Sequence, residues 1–579
     1  MALKHTTPPS RGPIMMNTLL TLHDPQAARQ HYLSGIWQPD TLYTLARQHA
    51  RNQPESPALR DPYQRLTWRD LLLRADSVAE SLHRVGLRQG DRVAAWLPSR
   101  AETVILFLAC SRNGYVFCPS LHQNNTVSEV IGLARRMYCK ALFVTPGYGA
   151  GADRQDIFTR AAEIPSLRCL YTLPVAGTHA PLPPGTTPFP GVEDVHAVRT
   201  TPALNPDKIT YLAFTSGTTG TPKGVLHSDN TLLANGRALV RDWQRTRDAV
   251  ALSLSPMSHH VGTVALEQML VAGMELVLHD PAAGWRPLDW LLETGATYVL
   301  GVPTHAMDLL SEMKRRGLPA LGAVQSFYMA GSSVPRELAE QLLHIGIMPQ
   351  NIYGMIENGS HQYTLPSDPA EAAVSTCGRA CNGYEVRIWK QDDPDTEVAT
   401  GEIGEIGGRG GLLMLGYYSD QEATEAAFNA SGWFMSGDLG VLDGDGRLRV
   451  VGRKKDLIVR GGHDIHPARI EDLAQRHPDV IKAAAFPVPD ARLGERACLA
   501  IIAKPGARPR ADAVLRHLYD MGLSKYDMPE YFVCLDKFPM TFSGKVLKRS
   551  LAQWVKEQRI NPTPVRWTEP GSTAEAAGD

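Results

Sequence analysis

The chain lacks a long apolar run, a large net charge and a clustered set of cysteines. Its most apolar stretch, residues 104–110, ends at Ser111, well short of the roughly 18 apolar residues that cross a bilayer. Residues 1–24 scatter their apolar side chains among prolines and contain no compact apolar segment typical of an export signal. We therefore expect a cytoplasmic protein with no membrane span.

Charge and cysteine content exclude further classes of protein. The 59 lysines and arginines nearly cancel the 60 aspartates and glutamates, so net charge does not steer the protein toward nucleic acid. The eight cysteines are dispersed, and the closest pair, Cys377 and Cys381, has no second pair at zinc-site spacing. We expect reduced thiols in the protein core and no nucleic-acid partner.

The patterning of apolar residues predicts the fold class. With 579 residues the chain is too long for one compact core, since a domain usually takes roughly 100 to 200 residues. Apolar residues recur at helical spacing over 42–50 and 68–85, whereas RVAAWL at 92–97 is typical of a buried strand. This alternation continues to about residue 353. It predicts an α/β fold with parallel sheets covered by helices on both faces.

The composition changes along the chain and marks domain boundaries. After Gly401, short segments punctuated by glycine (GEIGEIGGRGGLLMLGYY) predict an antiparallel subdomain. Helix and strand patterns then resume beyond a charged, glycine-containing stretch near Gly452. We divide the chain into an N-terminal extension (1–40), a large domain (41–452), a small C-terminal domain (453–561) and a disordered tail (562–579).

The strongest local motif is TSGTTGTPKG at residues 215–224, which follows the apolar strand ITYLAF. Its glycines allow successive backbone N–H groups to point into one concavity, and its hydroxyls add donors, so the loop is suited to hold a polyphosphate. It differs from the Walker pattern. A solvated Ser/Thr/Gly loop is the alternative, which the density of donors at a strand end disfavours. The residues that would contact the phosphates are Thr215, Ser216, Gly217, Thr218, Thr219, Gly220 and Lys223.

This loop resembles the signature loop of the acyl-adenylate-forming superfamily of AMP-binding enzymes, which includes acyl- and aryl-CoA synthetases, adenylation domains and beetle luciferase. Four further motifs follow in the family's order: IYGMIEN at 352–358, SGDLG at 436–440, VGRKKDLIVRGGHDIHP at 451–467 and SGKVLKR at 543–549. The resemblance covers about residues 41–555. It implies a large domain of two parallel-rich sheets layered with helices plus an antiparallel subdomain, and a small mobile α+β domain.

The resemblance also implies how the nucleotide is held. Asp438 would accept both ribose hydroxyls, as a carboxylate can. Arg453 would be a second ribose contact, and Tyr353 would lie against adenine. Further AMP contacts are implied at Gly331, Ser332, Gly354 and Ile356.

The catalytic residues that the resemblance implies are Lys545, Glu357, Thr218 and Lys223. Glu357 and Thr218 would hold a Mg²⁺ ion that bridges the ATP phosphates, because this ion needs only one or two carboxylates. Lys223 would approach the β- and γ-phosphates. Lys545 would bridge the attacking carboxylate and the α-phosphate, stabilising the charge that develops between them.

At one position the chain departs from the family pattern. The family usually has threonine immediately before the metal-binding glutamate, with its hydroxyl on the α-phosphate, whereas this chain has Ile356. A hydrocarbon side chain cannot donate that hydrogen bond. Two outcomes stay open: adenylation is slowed, or a hydroxyl of Ser332, Ser333 or Thr218 replaces the missing donor.

Other matched positions concern the acid and the thiol. The candidate acyl-pocket residues are His259, Gly301, Val302, Gly331 and Met355. Lys455 matches the family's hinge between the domains, about which the small domain would rotate. Gly461 and Gly462 would then line the tunnel for the thiol acceptor.

We therefore predict an ATP-dependent carboxylic acid:CoA ligase that works through an acyl-adenylate, with ATP, Mg²⁺ and coenzyme A. The pocket candidates include no counter-ion for an amino acid, which favours a medium-chain, alicyclic or aryl acid. Two alternatives remain: an enzyme that loads a separate carrier-protein thiol, and a non-catalytic nucleotide-binding homologue. The sequence leaves a homodimer open.

Overall fold

A computed structural model describes residues 24–178, 181–192, 200–215, 222–332, 334–540 and 545–567. Within these ranges the strands are β1 Pro57–Asp61, β2 Gln64–Thr67, β3 Arg92–Trp96, β4 Val116–Cys118, β5 Cys139–Val144, β6 Cys169–Thr172, β7 Thr187–Pro188, β8 Ile209–Phe214, β9 Gly224–Ser228, β10 Val250–Ser253, β11 Glu275–Leu278, β12 Tyr298–Gly301, β13 Ser326–Met329, β14 Met348–Met355, β15 Gly359–Tyr363, β16 Arg379–Ala380, β17 Tyr384–Trp389, β18 Gly404–Gly410, β19 Phe434–Leu442, β20 Leu448–Arg453, β21 Ile458–Arg460, β22 His463–Ile465, β23 Val480–Asp490, β24 Gly494–Ala503, β25 Tyr531–Cys534 and β26 Thr563–Pro564.

The α-helices of the same ranges are α1 Pro25–Leu33, α2 Leu42–Asn52, α3 Trp68–Arg84, α4 Ala101–Asn113, α5 Val127–Arg136, α6 Ile157–Arg160, α7 Asp229–Asp242, α8 His260–Ala272, α9 Pro287–Thr294, α10 Pro303–Arg315, α11 Arg336–His344, α12 Ala370–Ser375, α13 Gln421–Glu425, α14 Pro467–Gln475, α15 Ala511–Asp520 and α16 Lys548–Lys556. Polar caps define several starts. Ser228, for example, accepts a hydrogen bond from the backbone N–H of Thr231 at the start of α7, as the sequence predicts.

Two parallel-rich sheets form the body of the large domain. The seven-stranded sheet has the order β7-β6-β5-β3-β4-β8-β9, and the nine-stranded sheet has the order β16-β15-β14-β13-β12-β10-β11-β1-β2. Antiparallel pairs lie at their margins, at β8–β9, β1–β2 and β14–β15–β16. Helices α4, α7 and α8 bury apolar residues between them. The central strands are buried on both faces, which is why they read as apolar runs.

Two smaller sheets complete the fold. Strands β17 to β20 form a four-stranded antiparallel sheet in chain order, and β21 to β26 form a mixed six-stranded sheet covered by α14, α15 and α16. The predicted fold class is therefore confirmed, with its parallel-rich sheets, antiparallel subdomain and small α+β unit. Within the described ranges, no helix combines the length and apolarity needed to cross a bilayer.

Part of the predicted N-terminal extension is folded onto the large domain. Asp24 caps α1, and the buried indole of Trp37 donates a hydrogen bond of 2.8 Å to the carbonyl of Gly411. Ile36 fits beside Gly411, where an added Cβ would come within 2.6 Å of it. These contacts need no sustained periodicity, which explains why the sequence showed none.

The segment GLLMLGYY differs from the expected run of strands. β18 ends at Gly410, and residues 411–420 form a loop whose backbone bonds to other elements: Met414 N–H donates to Glu357 O at 2.7 Å, and Tyr418 N–H donates to Gly224 O at 2.6 Å. The expectation of core thiols also holds only in part, because Cys534 is exposed.

A buried ion pair joins the first helices to the centre of the domain. The ammonium group of Lys208 contacts the carboxylate of Asp229, and both side chains are almost fully buried. The other carboxylate oxygen accepts hydrogen bonds from Leu42 N–H at 2.8 Å and from the Ser111 hydroxyl at 2.7 Å. Asp229 thus links the starts of α2 and α7 to α4.

We predict that Lys208→Met destabilises the large domain by about 3 to 5 kcal/mol, because it leaves a buried carboxylate without its cation. Denaturation followed by tryptophan fluorescence measures the loss. Lys314→Met is the matched control, since Lys314 is exposed and its ammonium group donates a surface hydrogen bond to Gln341; it should change stability by less than about 0.5 kcal/mol. Equal stability of the two variants would contradict the prediction.

Candidate active site

The ends of the predicted phosphate loop are joined at the margin of the seven-stranded sheet. Thr215 N–H donates to Lys223 O at 2.9 Å, and Lys223 N–H donates to the Thr215 hydroxyl at 3.2 Å. These two bonds close the loop where β8 ends and β9 begins. The predicted residues Ser216, Gly217, Thr218, Thr219 and Gly220 lie outside the described residues.

Glu357 and Lys223 meet at one aromatic ring. The hydroxyl of Tyr417 donates to Glu357 Oε1 at 3.1 Å, and the ammonium nitrogen of Lys223 lies 4.6 Å from the centre of the Tyr417 ring. Burial raises the pKa of Glu357, while the Tyr417 hydroxyl, Lys223 and Arg453 oppose that rise. The carboxylate is therefore held in an environment that favours a nearby cation.

Asp438 connects two other predicted residues. Its Oδ2 accepts a hydrogen bond from the Tyr353 hydroxyl at 3.0 Å, and its Oδ1 accepts one from Arg453 Nε at 2.8 Å. Asp438 and Arg453 are cross-strand partners of β19 and β20, so the sheet register itself builds the ion pair. The charge of Asp438 is the first reason that the pKa of Arg453 is raised.

Lys545 lies within the electrostatic reach of this group, although it is far away in sequence. The protein around it lowers the pKa of Lys545, and Arg453 lowers it further, whereas Asp438 and Glu357 act in the opposite direction. Lys545 in turn contributes to the lowered pKa of His259. Lys545 thus interacts electrostatically with residues of the candidate site.

The acyl-pocket candidates form a second group. A Cβ added to Gly331, whose φ is +90°, would lie 3.5 Å from Val302 Cγ1. A Cβ added to Gly301 would lie 2.7 Å from His305 Nδ1. His259 precedes α8, and burial lowers its pKa to about 3. A side chain at Gly301 would collide with His305, so this position requires glycine.

Three further candidates have local roles in packing. Gly354 is required by the fold, because a Cβ there would lie 1.8 Å from Gly359 O in the β14–β15 hairpin. Ile356 packs against an apolar cluster that includes Tyr417, and its carbonyl accepts a hydrogen bond from His227 Nε2 at 2.7 Å. Met355 packs against that cluster and against the neighbouring one around Tyr353. Ser332 is exposed.

The candidate hinge, Lys455, follows a residue that is held in an ion pair. Lys454 Nζ contacts Glu405 Oε2 at 2.8 Å, and the next residue, Lys455, is exposed in a short 3₁₀ turn. Gly461 and Gly462 form the turn of the β21–β22 hairpin with φ of +59° and +86°. Glycine adopts this left-handed conformation without a steric penalty, which explains both residues there.

Sequence reasoning missed Tyr417 and the histidines beside His259. Tyr417 carried a weak signal, an aromatic pair after Gly416, but the segment read as a strand rather than as a loop that reaches Glu357. His122 and His305 both influence the titration of His259. Their separation in sequence gave no motif.

Comparison with known proteins identifies the family. The model of the AMP-binding enzyme family matches residues 46–418, and that of the AMP-binding enzyme C-terminal domain matches residues 469–545. The first match alone covers more than half of the chain. The chain therefore belongs to the AMP-binding enzymes, the acyl-adenylate-forming superfamily, and is an AMP-forming acid–thiol ligase.

Relatives align over nearly the whole length. The chain is 29% identical over 553 residues to the medium-chain fatty-acid–CoA ligase of Escherichia coli, covering 94% of this chain and 96% of that protein. It is 31% identical over 511 residues to a methyl-dioxo-octahydro-indenyl-propanoyl:CoA ligase of Mycobacterium tuberculosis, covering 87% and 96%. The ATP-bound crystal structure of MatB from Rhodopseudomonas palustris superposes with a TM-score of 0.77 at 26% identity, covering 90% and 99%.

We predict that Tyr353→Phe weakens AMP binding by about tenfold, because it removes the hydroxyl that orients Asp438 and keeps the aromatic ring. Calorimetric titration with AMP measures the change. Tyr363→Phe is the matched control. Tyr363 lies on the adjacent strand β15, and its hydroxyl donates a hydrogen bond of 2.7 Å to Asp242 at the end of α7. Unchanged affinity in Tyr353→Phe, or an equal loss in both variants, would contradict this role.

Proposed function

We propose that this protein is an ATP-dependent carboxylic acid:CoA ligase that forms an acyl-adenylate and then an acyl-CoA, releasing AMP and pyrophosphate. The observation that carries the proposal is the convergence of Glu357, Asp438, Arg453 and Lys545, which come from a hairpin of the nine-stranded sheet, from the four-stranded sheet and from the segment before α16 and yet act on one another electrostatically. An acid–nucleotide condensation needs this combination of a ribose acceptor, a cation for the α-phosphate and a carboxylate near the phosphate loop.

In the first step, a carboxylate oxygen of the acid attacks the α-phosphorus of ATP. A new O–P bond forms as the bond to the bridging oxygen breaks, and pyrophosphate leaves with the electron pair. We assign Asp438 and Arg453 to hold the ribose and Lys545 to offset the negative charge between the reacting groups. The lowered pKa of Lys545 is compatible with this role, since the ammonium form recovers its stability when anions arrive.

A Mg²⁺ ion fits the donor set beside the phosphate loop. Glu357 offers a half-buried carboxylate whose Oε1 accepts a hydrogen bond from the Tyr417 hydroxyl, and burial raises its pKa, so a cation there would offset the cost of its charge. Mg²⁺ is bound by one or two carboxylates together with substrate phosphates. When bound, the ion would neutralise charge on the leaving pyrophosphate, while Lys223 approaches the same phosphates.

In the second step, the CoA thiolate attacks the acyl carbon and AMP leaves with the electrons of the broken C–O bond. Adenylation has by then replaced a poor leaving group with a good one. We assign Lys455 as the pivot that removes Lys545 from the site and Gly461 and Gly462 as the turn that approaches it. A carrier-protein thiol is the alternative acceptor.

The acid is proposed to be a medium-chain, alicyclic or aryl carboxylic acid. The acids named for the relatives include medium-chain fatty acids and a bicyclic diketone propanoate. The candidate pocket around Val302, Gly331 and His259 contains a histidine whose pKa is lowered to about 3 and no carboxylate among its assigned residues. Such a pocket favours an acid without a second charge near the carboxyl group.

We predict that Lys545→Ala abolishes pyrophosphate release from ATP and a panel of acids, whereas it spares thioester formation from synthetic acyl-AMP and CoA, because this lysine is proposed to act only in adenylation. Lys556→Ala is the control, since Lys556 is exposed at the end of α16. Equal loss of both half-reactions would refute the assignment. Replacement of CoA by carrier protein in the second assay separates the two acceptors, and absence of acid-dependent release by the unmodified enzyme would refute the function.

A further prediction concerns Ile356, whose side chain packs beside Tyr417. We predict that Ile356→Thr slows adenylation, because the packing of the Tyr417 cluster loosens and the added hydroxyl enters an apolar contact. Ile356→Val, which removes one methylene without adding a hydroxyl, should cost about 1 kcal/mol of stability and preserve more activity. Pyrophosphate release measures both; a rate increase in Ile356→Thr of up to about a hundredfold would instead identify a missing phosphate donor.

A further inference from the structure

A cavity of about 430 Å³ lies beyond the acyl-pocket candidates, between the end of β11 and the starts of α9 and α10. This volume is within the range of about 300 to 1,000 Å³ that small-molecule sites occupy. Its walls include the side chains of Leu254, His279, Pro281, Trp285, Arg286 and His305. We call it the distal chamber.

His305 connects the distal chamber to the candidate acyl pocket. The imidazole lines the chamber, and it packs so closely on Gly301 that a Cβ added there would lie 2.7 Å from its Nδ1. The next residue, Val302, donates its backbone N–H to this same Nδ1 at 3.3 Å, and its side chain borders Gly331. One imidazole therefore lines the chamber and also contacts the backbone of Gly301 and Val302, so the chamber adjoins the candidate acyl pocket at His305.

Four imidazoles interact electrostatically in this part of the protein. His122 and His305, together with Lys545, contribute to the lowered pKa of His259, and His279 contributes to that of His305. Burial lowers the pKa of His122 and of His305 to about 4 and that of His259 to about 3. These three rings are uncharged at neutral pH, so each offers one donor and one acceptor.

The hydrogen bonds of His305 and His279 fix which of their ring nitrogens donates and which accepts. Because an amide N–H can only donate, Nδ1 of His305 accepts from Val302, and the ring proton is on Nε2. Because a carbonyl can only accept, Nε2 of His279 donates to Trp285 O at 3.0 Å, which leaves Nδ1 of His279 as an acceptor. The indole of Trp285 and two prolines supply the apolar surface around these groups.

We propose that the distal chamber receives the far end of the acid substrate and that this end carries a neutral oxygen, a ketone or a hydroxyl, on an alicyclic or alkyl body. The proposal rests on the proposed function, since it extends the same acid site. His305 Nε2–H donates to the oxygen, and Trp285 packs against the body. A plain hydrocarbon end would leave this donor without a partner, which disfavours it.

The test uses two non-hydrolysable acyl-adenylate mimics, the acyl-sulfamoyl adenosines of 4-cyclohexylbutanoate and of 4-(4-oxocyclohexyl)butanoate. They differ by one keto oxygen at the distal end. Calorimetry with the whole protein gives their affinities without turnover, and pyrophosphate release with the two free acids gives kcat/KM. We expect the keto compound to bind about tenfold more tightly and to be used with a correspondingly higher kcat/KM.

Single substitutions test whether the chamber causes the preference for the keto compound. His305→Leu should reduce the ratio of the two affinities to about one, and His305→Gln, which keeps a neutral donor, should restore part of it. Trp285→Ala should weaken both mimics by about tenfold; this side chain is 39% exposed, so the variant is expected to fold. Leu292→Ala is the matched control, because Leu292 is 40% exposed on α9 and does not line the chamber.

The outcomes separate the chamber from the proposed function. Equal or tighter binding of the unsubstituted mimic, or no effect of Trp285→Ala on either mimic, would overturn the chamber even if both acids release pyrophosphate. The expected affinities without any acid-dependent release would support the chamber as a binding site and refute the ligase function. Thermal melts of each variant confirm that lost affinity reflects the substitution and not unfolding.

Discussion

The carboxylate of Asp438 is the interaction on which the arrangement of the site depends. Its two oxygens join Tyr353 of the nine-stranded sheet to Arg453 at the last position of the antiparallel sheet. Only 6% of the residue is exposed, so its charge needs both partners. The β19–β20 register places the arginine opposite the aspartate, and a shift by one residue would send one of these side chains to the other face of the sheet. Sheet pairing thus determines the geometry of the nucleotide candidates.

Around Asp438 the protein holds two groups whose charged forms are disfavoured by their surroundings. Glu357 is disfavoured as an anion by burial, and Lys545 is disfavoured as a cation by the surrounding protein and by Arg453. These two penalties have opposite signs and lie in one site. A polyphosphate with its counter-ion would relieve both, because it brings anionic oxygens to the lysine and a cation to the glutamate. Local charge strain of this kind is expected where a charged ligand completes the site.

The sequence predicted the parts that depend on local order and missed those that depend on distant contacts. Buried parallel strands such as β3 and β12 are mainly apolar, and the hydroxyl- and glycine-rich loop at 215–224 follows the apolar strand β8, so both features were recognisable. The role of Tyr417 was not, since it arises from a contact with Glu357 across 60 residues of chain. The distal chamber had no signal at all, because single histidines carry no pattern until the fold brings His279 and His305 together.

The order of contacts along the chain separates the ribose-binding candidates, which precede Lys455, from Lys545, which follows it. Arg453 bonds Asp438, and Lys454 bonds Glu405, whose second oxygen accepts a hydrogen bond from Gly437 N–H at 3.1 Å. Both anchors precede Lys455. If Lys455 is the pivot that we propose, a rotation leaves the ribose contacts in place, because they belong to the fixed side. Lys545 lies on the moving side, so the group needed for adenylation departs while the nucleotide candidates stay assembled for the thiol.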